Sequence, residues 1–251
     1  MNIKLFRLLA LCVVSVLSIA HSYALTISDS EINSAWKLPL GKRIAYWAES
    51  FVGMPYDTDP LGEYVRRDVI VYDDRVDCMY HVFRSVELAL SHNSEEAISA
   101  ALDKRFITRG MLDSNGKVIN YQDRFQYGED MIDSGKWGRE ITSNLGTVVK
   151  IKGSRGRDFV SIIPKDNIDM DVVRKLKSGD IVFFVKQPDR RVVGEIVGHI
   201  GIIKKDSEGV YLIHASGIKG KNKSGMVTEV SFVDYIRSMG FAGIRVTRFE
   251  Q

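Results

Sequence analysis

One helix-sized stretch constrains this chain more than any other. Val76-Asp77-Cys78-Met79-Tyr80-His81-Val82-Phe83-Arg84-Ser85-Val86-Glu87-Leu88-Ala89-Leu90 sets Met79, Val82, Phe83, Val86 and Leu90 at the i, i+3, i+4, i+7 spacing of a buried stripe. Asp77 is a good N-cap residue just ahead of it. The spacing predicts a core helix with Cys78 at its N-terminal lip. A thiol in that position feels the positive end of the helix dipole and unpaired backbone N–H groups, both of which favour thiolate. Packing is the plainer use of such a residue, since free cysteine is among the most buried residue types.

The N-terminus changes what that thiol means. Residues 1–24 read as a secretory signal: Lys4 and Arg7 form a basic n-region, Leu8 to Ala20 an apolar h-region, and Ser22-Tyr23-Ala24 a small-x-small cleavage site. The expected location is therefore exported, in the periplasm. The apolar run is shorter than the ~20 residues of a bilayer span, so no membrane span is expected. Cys12 falls inside the signal, which leaves Cys78 without a partner in the mature chain. In an oxidising compartment a solitary cysteine is buried and inert, bonded to another molecule, or used. Cleavage also removes two basic residues, taking the net charge from +3 toward neutrality, and gives no electrostatic case for nucleic acid. The remaining length suits one catalytic domain, residues 25–251, acting as a monomer.

Further along, residues 25–37 are polar and weakly patterned, a lead-in strap. A helix is predicted from Pro39, with Ile44, Trp47, Ala48 and Phe51 on one face, ending at Gly53-Met54-Pro55-Tyr56. Asp68 to Asp74 reads as a short extended piece, and Asn93 with Glu96 as the capping box of another helix. Residues 101–145 mix aromatics with charge and look like a surface-shaping insertion holding one helix near Tyr127 to Ser134. A hairpin, Val148 to Ile151 with Phe159 to Ile163, and a short helix, Asp171 to Lys177, follow.

The second half of the chemistry lies in three apolar, β-rich runs. Asp180 to Val185 should be a central strand, and Val197 to Ile203 with Val210 to Ala215 a hairpin about the turn Asp206-Ser207-Glu208-Gly209. Counting from that turn sets His199 opposite His214 to within about a residue, where facing residues lie ~5 Å apart. A helix near Phe232 to Ser238 and a last strand, Gly243 to Phe249, close the chain. Glycine-rich phosphate loops and zinc-spaced Cys/His clusters are lacking, so neither cofactor nor metal is expected.

A thiol hydrolase needs a nucleophile, an imidazole that takes and returns a proton, and a polar group that orients the imidazole. Cys78, His199 and His214 can fill these roles, with the Cys78 backbone N–H meeting the oxyanion. His81, one turn along from Cys78, is poorly placed to act as the base and reads, like His92, as a surface or packing residue.

These segments resemble a known family, the NlpC-type bacterial cell-wall cysteine hydrolases of the papain-like superfamily. The resemblance rests on Gly53-Met54-Pro55-Tyr56, Asp77-Cys78, Leu176-Lys177-Ser178-Gly179-Asp180-Ile181-Val182-Phe183-Phe184, Gly198-His199-Ile200-Gly201-Ile202 and Leu212-Ile213-His214-Ala215-Ser216. It implies an α+β fold, an antiparallel central sheet with the nucleophile-bearing helix packed against it, and a tyrosine, Tyr56, near the thiol. Met79-Tyr80-His81 departs from the small or hydroxyl residues that relatives place there. Tyr46 through Tyr56, Val76-Asp77-Cys78 and Arg124-Phe125-Gln126-Tyr127 through Trp137-Gly138 to Thr142 resemble more narrowly the amidase-like branch, which is associated with N-acetylmuramoyl-L-alanine amidases. That implies a peptidoglycan or muropeptide substrate, with Arg124, Tyr127 and Trp137 as groove residues. The rival readings are an endopeptidase cutting the stem peptide after D-glutamate, a non-catalytic wall-binding module, and an acyltransferase using the same thiol.

Overall fold

The computed structural model describes residues 27–217 and 225–250, so the signal segment lies outside the described residues. Ahead of the expected first helix, the lead-in forms α1 (Asp29–Ala35) instead of a strap. Ser28 and Glu31 make a reciprocal capping box there, and Ile32 and Ala35 are buried. Then come α2 (Leu40–Ser50), α3 (Glu63–Arg66), α4 (Cys78–Ala89), α5 (Ser94–Lys104) and α6 (Gly128–Ser134). The segment expected as extended, Asp68 to Asp74, forms no strand, because its carbonyls serve the insertion. Val69 accepts from the Tyr121 hydroxyl at 2.6 Å and Ile70 from Arg105 at 2.7 Å.

β1 (Arg139–Glu140), α7 (Thr142–Leu145), β2 (Val149–Lys152), β3 (Phe159–Pro164), α8 (Met170–Lys175) and β4 (Ile181–Val185) follow. β5 (Val197–Lys205), β6 (Val210–Ser216), β7 (Met226–Ser231), α9 (Phe232–Ser238) and β8 (Gly243–Arg248) complete the described chain. All pairs are antiparallel, in the order β2-β3-β8-β4-β5-β6-β7 with β1 beside β8. This is an α+β fold. The last strand enters between β3 and β4, and β7, which the sequence reading did not assign, lines the far edge beside β6.

β4 is apolar at every position because both faces of the sheet are covered. Ile181 and Phe183 join Trp47, Val82, Phe83 and Val86 in one core, while Val182 and Phe184 join Val172, Val173, Phe232 and Ile236 in the other. The cysteine helix α4 packs on α2, α5, β5 and β6. Val82, Phe83 and Val86 of its stripe are enclosed, Met79 and Leu90 at the stripe's ends are half-buried, and Tyr80 to Ala89 are buried without a break.

The insertion is stitched to α4 by charge. Arg105, fully buried, forks onto Glu87 at 2.6 and 2.7 Å and lies over the Tyr80 ring. Glu87 also takes Arg84, which is paired with Asp73. Removing one member would strand a buried charge, a loss of about 3–5 kcal/mol. Phe106, Tyr121, Phe125 and Trp137 of the insertion are buried, so much of this segment is core and not surface.

Candidate active site

α4 begins as the sequence predicts, with the Asp77 carboxylate accepting from the Tyr80 N–H at 2.7 Å. Cys78 is partly exposed and unpaired. Its sulfur is approached by the backbone N–H groups of Ile200, Cys78 and Met79. Those donors and the helix dipole favour thiolate. Burial nevertheless pushes the Cys78 thiol up to about 12, and the Asp77 carboxylate adds to the rise. The expectation of a standing thiolate is therefore corrected. The carboxylate that caps the helix offsets the dipole at the residue beside it.

His199 is aimed by irregular backbone. Phe184 pairs with His199 but Val185 pairs with Val197, so Gly198 is an extra residue and the strand bulges directly before His199. Glu129, fully buried on α6, accepts from the Ile196 and Val197 N–H groups at 3.1 and 3.0 Å and holds the strand on the other side of that bulge. Past the bulge, the β5–β6 ladder begins at Ile202 opposite Ile213. That register carries His214 opposite Gly201, so the two histidines are offset by two positions and not face to face as counted from the turn. They meet on the diagonal, His199 Nε2 to His214 Nδ1 at 2.8 Å with the rings edge to face. Gly201 makes room: a Cβ there would come within 3.1 Å of the His214 Cβ and 2.7 Å of Leu212.

Burial, with the neighbouring His214 and His81 adding, lowers His199 to about 3, and burial and then His81 lower His214 to about 4. Both rings rest neutral at pH 7. Thr228 Oγ1 lies 3.4 Å from His214 Nε2. One proton arrangement suits catalysis: His214 Nε2–H points to Thr228, and His199 Nε2–H donates to His214 Nδ1. His199 Nδ1 is then left with a free lone pair.

The other sequence-predicted residues divide. Tyr56 lies close enough to Cys78 for the thiol to raise its hydroxyl's pKa, after burial, and so the hydroxyl stays a donor. It fits between two glycines, since Cβ atoms on Gly217 and Gly225 would come 3.0 and 2.9 Å from it. Arg124 is half-buried and donates to the Tyr121 carbonyl at 3.0 Å. Tyr127 is half-buried under the Arg155 guanidinium at 3.6 Å. Neither is joined by a hydrogen bond to the thiol or the imidazoles. Trp137 is fully enclosed against Phe83, with ring centroids 4.7 Å apart. The expectation that it lines a groove is corrected: an indole without solvent access serves the core. His81 is buried, with Nε2 at 3.0 Å from the Ala48 carbonyl, and ties α4 to α2. His92 is exposed beside Glu96.

Three contributors escaped the sequence reading. Tyr235 of α9 packs edge-on to His214 at 4.7 Å, and the nearby thiol adds to the rise in its pKa that burial causes. Thr228 sits on a strand that was not recognised, and Glu129 acts through backbone alone. An unpatterned tyrosine in a short helix carries no signal that distinguishes it from core. For Thr228 the usable signal was the alternation in Met226-Val227-Thr228-Glu229-Val230.

Residues 125–244 match the model of the AmiA-like, N-acetylmuramoyl-L-alanine amidase-like family. The matched segment contains both site histidines and stops short of Cys78. The fold is similar to that of an N-acetylmuramoyl-L-alanine amidase from Bacteroides uniformis, with a TM-score of 0.64 and 19% identity over 84% of this chain and 99% of that one. A Legionella pneumophila protein of the family model DUF1460 is similar too, with a TM-score of 0.62 and 16% identity over 87% of this chain and 93% of that one. No curated protein matches the chain. Among the described residues no helix is long and apolar enough to cross a membrane.

Proposed function

We propose that the protein is a cysteine amide hydrolase of the papain-like NlpC type that cuts the N-acetylmuramoyl-L-alanine amide of peptidoglycan fragments. The observation that carries this reading is the His199–His214 contact of 2.8 Å, on the strand whose Ile200 N–H favours the Cys78 thiolate. Because thiol and imidazole both rest neutral, proton transfer is coupled to attack. The Cys78 proton passes to His199 Nδ1 as sulfur bonds to the lactyl carbonyl carbon. The oxyanion is received by N–H groups at the start of α4 and by the Tyr56 hydroxyl. The C–N bond then breaks, and the L-alanine nitrogen leaves with the proton from His199. Water, deprotonated by the same ring, hydrolyses the thioester and frees the thiol. His214 holds the imidazolium that forms in each half-reaction.

The choice of amide rests on the amidase-like match over residues 125–244 and on the amidase named among the similar folds. The signal-like residues 1–24 support export, which would bring the enzyme to its substrate. Incubation with soluble muropeptides, followed by mass spectrometry, tests the reading. The expected products are a peptide with N-terminal L-alanine and a peptide-free sugar, and Cys78→Ala should give neither. Sugar that retains L-Ala-D-Glu would establish the endopeptidase instead.

A further inference from the structure

A groove of about 1110 Å³ opens at the end of the sheet away from the two histidines, and neither Cys78 nor His199 lines it. β5 spans the distance, from His199 near its start to Lys205 at its end, roughly 20 Å at the rise of an extended strand. The groove's walls are cationic. Three arginines in it are already matched: Arg139 by Glu250, Arg174 by Asp171, and Arg248 by Asp180. Four lysines are not.

Lys175 donates to the Leu145 carbonyl at 2.9 Å, and Lys205 to the carbonyls of Arg174 and Leu176 at 2.6 and 3.1 Å. A carbonyl fixes an ammonium group without cancelling its charge. Lys42 and Lys177 are exposed and have no ion-pair partner among the described residues. They are drawn together because α2 starts hard against the turn before β4. A Cβ on Gly41 would sit 2.3 Å from the Ser178 carbonyl oxygen, and Gly179 holds a φ of +87° that favours glycine. α2 also starts without a side-chain cap and without an acidic residue in its first turn, so nothing there offsets the lysines.

In a chain whose formal charge is only +3, four unmatched ammonium groups around one concavity are a local concentration of charge. We infer that this groove is a binding site for a phosphate-bearing polyanion, separate from the hydrolytic site. Arg248 spends its fork on Asp180, while Arg139 and Arg174 are each held through one nitrogen by an exposed acid, so the charges left unmatched are lysine point charges, which suit clustered phosphates. A flat anionic bilayer fits less well, because the surface is concave and none of the exposed large apolar side chains lines it.

Calorimetric titration of the full chain with short-chain inorganic polyphosphate tests this without reference to hydrolysis. Saturable binding is expected at low salt, weakening at least about tenfold between 50 and 200 mM salt. Lys42→Glu/Lys177→Glu should weaken binding at least tenfold, whereas Lys117→Glu/Lys152→Glu, of equal charge change on other surfaces, should leave it within twofold. Should the reversed pair fold poorly, Lys42→Gln/Lys177→Gln should still lower the affinity severalfold. No binding at low salt, equal losses in the two pairs, or binding to phosphatidylglycerol vesicles but not to polyphosphate would each overturn the inference.

Discussion

Strand β5 starts among groups that burial has neutralised and ends at an open groove lined by lysines. Near its start His199 is lowered to about 3, and the Cys78 thiol, which the Ile200 backbone N–H of the same strand stabilises as thiolate, is nevertheless raised to about 12. Both shifts come chiefly from the cost of holding an ion in a poorly solvated place. At its end, Lys205 and the neighbouring lysines stand at an open groove where water still solvates them. The same strand therefore serves two electrostatic regimes. One end holds a buried, neutral pair of histidines near a thiol, and the other a set of solvated lysines. Salt should distinguish them, since screening acts on exposed charges over about 10 Å at 0.1 M and reaches a buried pair much less.

The comparison breaks most visibly if the neutral end loses its reactive pair. Cys78→Ala should leave no measurable turnover of muropeptides, and His199→Ala should lower kcat/KM by about 10³ or more. His214→Ala removes a hydrogen bond that matters most when His199 is charged, so a loss of roughly 10- to 100-fold is expected. If His214→Ala is as damaging as His199→Ala, the order of the two rings in the relay is reversed.

Alkylation sharpens the same contrast. With the thiol raised and no standing ion pair, the iodoacetamide rate at Cys78 should climb steadily from pH 6 to pH 10 with no plateau. A plateau from about pH 5 upward would mean that the resting site is already a thiolate beside an imidazolium, and the neutral end would not be neutral.

How far the chain could be read from sequence follows the same division. β4 was legible because burial on both faces leaves an uninterrupted apolar run, β5 and β6 because apolar positions flank their histidines, and α4 because its large apolar residues recur at helical spacing, although Tyr80 to Ala89 are all buried. Cys78, His199 and His214 were legible as residue types on those elements. Their diagonal meeting was not, because it depends on where the β5–β6 ladder begins and on the bulge at Gly198. The thiol's charge state was misread for a related reason. The dipole is written in the helix, but the burial that outweighs it belongs to β5 and α9, which come more than a hundred residues later. The aromatics of the insertion misled in the opposite sense: Trp137 looks like a groove residue among charges, yet the Arg105–Glu87 pair folds that segment into the core.

A third prediction concerns acid. His81, fully buried, is lowered by desolvation to about 4 from an ordinary value near 6.5. Below pH 6.5 the unfolded chain takes up a proton at this site that the folded chain refuses until about pH 4, so stability is lost through that window as pH falls. One such residue is worth about 3 kcal/mol over the window. His199 and His214 act in the same direction. Urea unfolding at pH 7 and pH 4.5 should show a marked loss for the natural chain and a smaller one for His81→Gln. An equal loss in both would mean that His81 is not held neutral by the fold.

The smallest effect should come from the end of the relay. Thr228 faces His214 at 3.4 Å, beyond the usual range for a good hydrogen bond, and both partners are neutral in the resting site. When His199 becomes an imidazolium during attack, part of that charge is felt at His214, and a hydroxyl oxygen accepting from His214 Nε2–H then gains strength. Thr228→Val keeps the branched shape while deleting the acceptor, so packing against β6 should survive and kcat should fall by a factor of roughly 2 to 5 with KM unchanged. The split is the diagnostic. A role in substrate binding would appear in KM, and a purely structural role would appear as a lowered unfolding midpoint with kcat intact. If kcat falls as far as in His214→Ala, Thr228 is setting the tautomer of His214 outright, and the orienting function belongs to the hydroxyl as much as to the ring.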